Sequence, residues 1–499
     1  MNLISKIFRI LAGRIQGESQ QPKRLAGQEG NRASAQLRHI LEELKDCSDL
    51  IHRSYPEIAV HMVYFGNQVN ADMLYRDVVH PLLQVREQEV SLLLKQSKFQ
   101  LSSAPKEQIT GILSGKVAIF HDRDVYLVNI YSPRTRSIEQ SETETAMTGP
   151  HDAFNENAED NLSLIRKRIR SSHLKVIKLS VGEISKTDVF VLYIEGIANL
   201  DNVRKVKERI QRVSIDAVHD IHMLLQLIDD NPMSVFPQFM STERPDSAAS
   251  KLVSGRVVAM MDGSPSIFSA PTSFFEFFAS ADDYYQRWLL GTAARLLRFI
   301  AFAITISFTA IYVAESTYHY EMIPENLLRT FVESRSRVPF PPMYEALLME
   351  ITIEMLREAG ARLPTKIGQT IGIVGGIVIG QAAVQAGFSS NILIIAVASS
   401  AIASFVIPSY VMSASIRLIR FGLIILAGIW GNFGLAVGVT IVVVHLCGLT
   451  SLGSSYLTPI TPIRFKDWSD MFIRGPFAMI STRPTQTRTP NPVRQKIKK

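Results

Sequence analysis

Between Leu296 and Gly448 the chain carries several long apolar runs that are almost free of charge, and this stretch decides what it can become. Leu296–Ala314 approaches the about 20 apolar residues that a membrane-spanning helix needs. Further runs follow at Ile367–Gly387, Ile392–Met412 and Phe421–Gly448. The last is long enough for one tilted helix, or for two broken at Gly431-Asn432-Phe433-Gly434, so the expected count is four to six spans. Arg417 and Arg420 fall between the expected spans. Arg287, Arg295 and Arg298 precede the first run, which places its start on the cytoplasmic side, because basic flanks stay inside.

Charge is distributed as a membrane would require. The tail from Arg464 to Lys499 holds nine Lys/Arg against Asp467 and Asp470, and so carries the whole formal net charge of +7. A basic flank after the last apolar run reads as cytoplasmic and suited to anionic lipid headgroups. A nucleic-acid partner is not expected, because the tail has no binding motif and the rest of the chain is neutral. Met1–Ile15 lacks the uninterrupted apolar core of a secretory leader; Leu3, Ile7, Ile10 and Leu11 share a helix face that suits a membrane surface. Gly17–Ser34 reads as a flexible linker.

The expected organisation is a flexible basic N-terminus over 1–35 and an α/β domain over 36–285. An all-α polytopic membrane domain over 286–463 and a basic tail over 464–499 follow. Within the α/β domain, Val203, Val206, Ile210 and Val213 recur at helical spacing, whereas Val189–Ile194, Lys116–Phe120 and Val125–Ile130 are β-rich. His121-Asp122-Arg123 suggests a hairpin turn. Ser114-Gly115-Lys116-Val117 opens that hairpin, and Ser254-Gly255-Arg256-Val257 opens a second whose turn is Asp262-Gly263. The recurrence points to two subdomains with a boundary near residue 150.

Catalytic chemistry is not expected. The segment from Gly111 to Lys116 is one residue short of a phosphate loop and has Val117 where a magnesium-binding hydroxyl belongs. HExxH, GxSxG and GxGxxG are absent, and the histidines lack ligand spacing. Cys47 and Cys447 give neither a disulfide framework nor a metal site, which fits a reducing interior. No cofactor and no metal are expected. Thr242-Glu243-Arg244-Pro245-Asp246 reads either as an internal salt-bridged loop or as a ligand contact.

The run IGQTIGIVGGIVIGQAAVQAG over Ile367–Gly387 is the most informative. Gly368, Gly372, Gly376 and Gly380 fall every fourth residue and would form a groove admitting a neighbouring helix. The opposite face carries Thr370, Val374, Gln381 and Gln385, the candidates for lining a pore, with Val374 as an apolar constriction. The other reading is a buried packing helix whose glutamines are bonded to partners. Upstream, Glu350, Glu354 and Glu358 make an acidic stripe on a helix over Met343–Ala359, mostly avoided by Leu347, Leu348, Ile351 and Met355. It is either a solvated helix face or, in a symmetric oligomer, an acidic ring at a pore mouth.

That glycine-rich run closely resembles the A subunits of GerA-type spore germinant receptors. Ser185-Lys186-Thr187-Asp188, Thr242–Asp246, Pro271–Phe275 and Val338-Pro339-Phe340-Pro341 also resemble family segments, in family order. The IGQTIGIVGG wording is closer to the receptor branch than to the paralogue encoded with dipicolinate-channel genes. The resemblance implies a receptor of A, B and C subunits in the spore inner membrane, with a transporter-like B subunit holding the nutrient and a lipoprotein C subunit. It further implies an A subunit that oligomerises into a nutrient-gated ion channel. A non-conducting scaffold relaying nutrient binding is the competing reading, and a secondary transporter a third.

Overall fold

Proline and glycine punctuate the soluble half twice in the same order. Pro105 and Pro245 each begin a helix, where a missing N–H costs nothing. Gly115 and Gly255 end those helices at φ +83° and +89°, in the left-handed region that a side chain strains. The computed structural model, which describes residues 32–131, 141, 144, 147–362, 378 and 380–494, shows what this punctuation organises.

The first unit holds helix α1 (Arg32–Glu43), strands β1 (Leu50–Tyr55), β2 (Val60–Phe65) and β3 (Phe99–Leu101), helix α2 (Pro105–Leu113), and the hairpin β4 (Lys116–His121) and β5 (Asp124–Asn129). Its sheet runs β1-β2-β4-β5-β3, antiparallel throughout. The second unit comprises α3 (Ala158–Arg168), β6 (Leu174–Val181), β7 (Thr187–Ile194), α4 (Leu200–Gln211), α5 (Ile221–Ile228), β8 (Met240–Thr242), α6 (Pro245–Val253), β9 (Val257–Met261) and β10 (Ile267–Ala270). Its order is β6-β7-β9-β10-β8, the first sheet's pattern repeated strand for strand. Asp122, at φ +52°, lies in the β4–β5 turn, and Asp262-Gly263 in the β9–β10 connection.

Strand alternation explains how each sheet is covered. In β7, Val189, Val191 and Tyr193 face Val203, Val206 and Ile210 of α4, while Phe190, Leu192 and Ile194 face Leu162 and Ile165 of α3 and Leu252 of α6. Each such side chain contributes about 1.5–3 kcal/mol on burial. The units are joined by a buried Asp49–Arg166 ion pair (Nη2 to Oδ1 2.6 Å), with Arg166 stacked 3.9 Å over Phe65.

The C-terminal half is a helical layer of α7 (Trp288–Thr317), α8 (Glu325–Arg335), α9 (Pro342–Arg362), α10 (Asn391–Val406) and α11 (Tyr410–Gly448). Two described segments, Trp288–Thr317 and Tyr410–Gly448, are long and apolar enough to cross a membrane. α11 is not one rod. Gly431, at φ 60° and ψ −141°, breaks the helical geometry. A methyl placed on Gly438 would come within 2.5 Å of Leu423, which a straight helix would hold far away. The two arms, 410–430 and 432–448, therefore fold back on each other. The first is about 30 Å long, near the thickness of a bilayer core. α10 stops before Pro408, so Met412 belongs to the next helix and not to the run begun at Ile392.

Contacts at the two ends fix the direction of each leg. At the end near the soluble domain, Ser415 Oγ donates to Val235 O (2.6 Å) and His445 meets Ser234 (2.9 Å). At the far end, Tyr318 OH donates to Ile429 O (2.9 Å) and Tyr312 OH meets Ser390 Oγ (2.8 Å). α7 thus runs outward, α9 and α10 run back, and α11 runs out and returns. The chain leaves the soluble domain at α7 and rejoins it after α11.

Beyond α11 the chain does not trail away. A short hairpin, β11 (Thr450–Ser451) and β12 (Ser454–Ser455), and helix α12 (Phe465–Met471) fold onto the second unit. Asp230 accepts from Arg209, from the Thr450 hydroxyl (2.5 Å) and from Gly453 N (2.9 Å). Lys205 reaches Leu452 O, Asn199 reaches Arg488 O, and Arg483 reaches Val253 O. The basic tail is packed as far as Arg494, because its arginines and threonines satisfy backbone groups of the soluble domain.

Two predictions follow from this architecture. Gly431→Val will lower the melting temperature in detergent, by strain of about 1–3 kcal/mol. Gly422→Ala, which meets nothing within 4 Å, will not, and equal melting of the two would remove the turn. Burial, reinforced by the neighbouring Asp230, raises Asp229 to about 7. Its unfolded value lies near the ordinary about 3.9. An acid raised on folding loses stability as pH climbs from about 4 to about 7. Asp229→Asn will therefore raise the melting temperature at pH 7.5 and leave it unchanged at pH 4.

Candidate functional site

α9 is inside-out relative to a soluble amphipathic helix. Its apolar residues Leu348, Ile351 (50% exposed) and Met355 (61%) face outward, whereas Glu345 and Glu350 are buried. Ile395, Ile402 and Phe405 of α10 and Leu418, Phe433 and Val444 of α11 continue the outward apolar belt. Such a belt belongs in lipid, and it turns the charge of the layer toward its interior.

There the charges meet. Glu350 and Arg420 are both 0% exposed, with Oε2 and Nη2 2.6 Å apart. Thr309 of α7 donates to Glu350 Oε1 (2.8 Å), and Arg420 Nη1 donates to Ser400 of α10 (2.9 Å). One turn along α9, Glu354 accepts from Arg417 (3.2 Å) and Arg420 (3.3 Å) and lies 3.8 Å from Arg357. Arg357 in turn donates to Ser404 (2.9 Å) and stacks 4.2 Å over Phe405. Three arginines thus share two glutamates, and the cluster ties four helices together. Taking these charges from water costs several kcal/mol per ion and is offset only by close pairing with further hydrogen bonds. An arrangement of this kind holds one packing and resists intermediates.

This overturns one sequence expectation. Arg417 and Arg420 do not lie between spans but inside the first arm of α11, where Glu350 and Glu354 neutralise them. In the acidic stripe, expected as a solvated face or as an acidic ring at a pore mouth, Glu350 and Glu354 pair with arginines of the same chain. Only Glu358 is well exposed, and it pairs with Arg362 (2.5 Å). The pairing was readable in principle, since four-residue spacing of acids on one apolar helix and Arg417 and Arg420 on another place complementary charge at membrane depth.

Of the glycine-rich run, Gly368, Thr370, Gly372, Val374 and Gly376 lie outside the described residues. Gly380 is helical, and a methyl there would meet Ile394 at an ordinary 3.9 Å. Gln381 and Gln385 are exposed on the surface of the single chain. Among the described residues no group of three or more His, Cys, Asp and Glu could hold a metal ion.

A second set of charges joins the layer to the soluble domain. Asp283 is held by Arg295 (3.2 Å) and Arg298 (2.7 Å) from the first turns of α7. Beside it the rings of Phe274, Phe275, Phe278, Phe299, Phe302 and Phe472 pack at centroid distances of 4.9–6.3 Å. Behind them Glu276 receives Lys251 (2.8 Å) and Arg256. Burial works to raise the Glu276 carboxyl, and the two cations outweigh it, drawing it down to about 2. In the Thr242–Asp246 turn, Arg244 holds Asp246 (2.8 Å) and Asp282 (3.5 Å), an internal ion pair.

A two-sheet soluble domain rigidly coupled to an inside-out helical layer defines a membrane protein. The family model of the Bacillus/Clostridium GerA spore germination proteins matches residues 38–486. The chain is 39% identical to spore germination protein GerQA of Bacillus cereus, over 91% of this chain and 92% of that one. To spore germination protein A1 of Bacillus subtilis it is 37% identical, over 91% and 95% of the two chains. It is also 36% identical to the membrane protein YfkQ of Bacillus subtilis, over 93% of each. The crystal structure of the N-terminal domain of the A subunit of the Bacillus megaterium spore germinant receptor GerK3 aligns with a TM-score of 0.38, 24% identity, 50% of this chain and 99% of that one. The chain belongs to the GerA family of spore germination proteins.

The buried pair yields its own test. Arg420→Met leaves Glu350 short of its partner and will destabilise the detergent-solubilised protein by about 3–5 kcal/mol. Adding Glu350→Leu will recover most of that loss in thermal unfolding. A double mutant that melts no higher than Arg420→Met would deny the coupling.

Proposed function

We propose that the chain is the membrane subunit of a nutrient germinant receptor and oligomerises through its helical layer into a nutrient-gated ion channel. The observation that carries the reading is the exposure of Gln381 and Gln385 on an apolar segment. Polar side chains at membrane depth face protein or water, not lipid, so this face calls for further subunits around a wet path. Helical spacing in the sequence would group Thr370 and Val374 with these glutamines, with Val374 as the apolar gate.

On this reading the subunit sits in the spore inner membrane with its soluble domain and tail on the core side. A transporter-like B subunit holds the nutrient, and a lipoprotein C subunit completes the receptor. The Glu350–Arg420 cluster would keep the helices of each subunit moving as one body when the gate opens.

Potassium release from spores carrying Val374→Ala tests the gate. Release without nutrient, at normal protein level, is the expected outcome. Release unchanged with and without nutrient would favour a non-conducting scaffold.

A further inference from the structure

A cavity of about 390 Å³ lies where α6, the turn 279–285 leading into α7, and the C-terminal segment meet. Its size suits a small molecule. Tyr285, Phe477 and Met479 supply an apolar wall. The opposite wall is charged, with Lys251, Arg256, Lys466 and Arg494 set against Asp246, Glu276, Asp467 and Asp470, and these carboxylates are already engaged. Glu276 alone serves both Lys251 and Arg256, and its Oε1 also takes Ser273 N (3.2 Å). Asp246 is occupied by Arg244 (3.1 and 2.8 Å) and by the Tyr285 hydroxyl (2.6 Å). Asp470 takes the Tyr284 hydroxyl (2.7 Å), and Asp467 takes Thr485 N (3.0 Å).

On the donor side, Arg256 is 2% exposed and its Nε has no acceptor. Lys466 and Arg494 add two cations to the lining, and Ser247 and Ser250 add hydroxyls. Burial lowers the Lys251 ammonium against the opposing pull of Glu276 and Asp470. A buried donor without a partner is costly, and an acceptor entering the cavity would satisfy Arg256 Nε.

We propose that this cavity binds a small organic anion, a phosphate or carboxylate on an apolar body, held by Lys251, Arg256 and Arg494. This site is separate from the helical face assigned to conduction and stands whether or not the channel does. The head group has two possible sources: a soluble metabolite, or an anionic lipid, since the cavity adjoins the start of α7. A bound anion would bridge α6 to the C-terminal segment and fasten both to the entry of the helical layer.

The test uses the full chain in phosphatidylcholine nanodiscs, titrated with phenyl phosphate and followed by amide hydrogen exchange. Saturable protection of 245–254 and 465–471 is expected. A second arm replaces phenyl phosphate with phosphatidylglycerol in the disc, and protection in that arm alone assigns the site to lipid. Arg494→Ser will weaken the apparent affinity at least about tenfold, the effect of one charge-assisted hydrogen bond, without altering the melting temperature. Ser250→Trp, which fills the cavity and keeps Lys251, will abolish it. Absence of saturable protection in both arms, or protection undiminished in both variants, would overturn the proposal.

Discussion

Four described helices of the layer, α7, α9, α10 and α11, meet at one buried ion pair. Glu350 and Arg420 have no exposure and sit on helices separated in sequence by the glycine-rich run and α10. In lipid, an apolar side chain gains little from facing another helix, because the hydrocarbon outside is equally apolar. A charge, by contrast, has only the interior and its partner. The Glu350–Arg420 contact therefore sets the rotation of α9 and of the first arm of α11. Once those are set, Thr309 and Ser400 fix α7 and α10 against them.

The soluble domain obeys the other rule. There the sheets are buried on both faces by helices, and the polar clusters lie at joints: Asp49 with Arg166 between the units, Asp283 with Arg295 and Arg298 at the membrane entry. The aromatic stack between Phe274 and Phe472 fills the space around the second joint with rings that admit few alternative packings.

The soluble fold was legible where local chemistry decides it. The Ser-Gly-Lys-Val and Ser-Gly-Arg-Val openings marked two hairpins because a glycine at positive φ and a strand start are local requirements. The full repeat of strand order was not legible, since it is made by pairings distant in sequence that leave only weak traces in residue type. In the layer, the break at Gly431 was readable as an alternative, and the structure selects it. The roles of Arg417 and Arg420 were misread because a charge at the end of an apolar run looks like a boundary until its partner is known. Likewise the docking of the tail depends on hydrogen bonds from threonine, asparagine and arginine to backbone carbonyls, contacts with no periodic signature.

The return of the tail to the second unit gives the molecule a closed mechanical circuit. The soluble domain grips the first helix through Asp283 and the last through the hairpin at Thr450. Two grips on one domain would act as a lever with separate attachment points. A tilt of the domain pulls on α7 and on the second arm of α11 together, and a torque applied to either is felt by the other. The layer is driven from its first and last strokes at once, and the middle helices follow through the ion pairs that tie them.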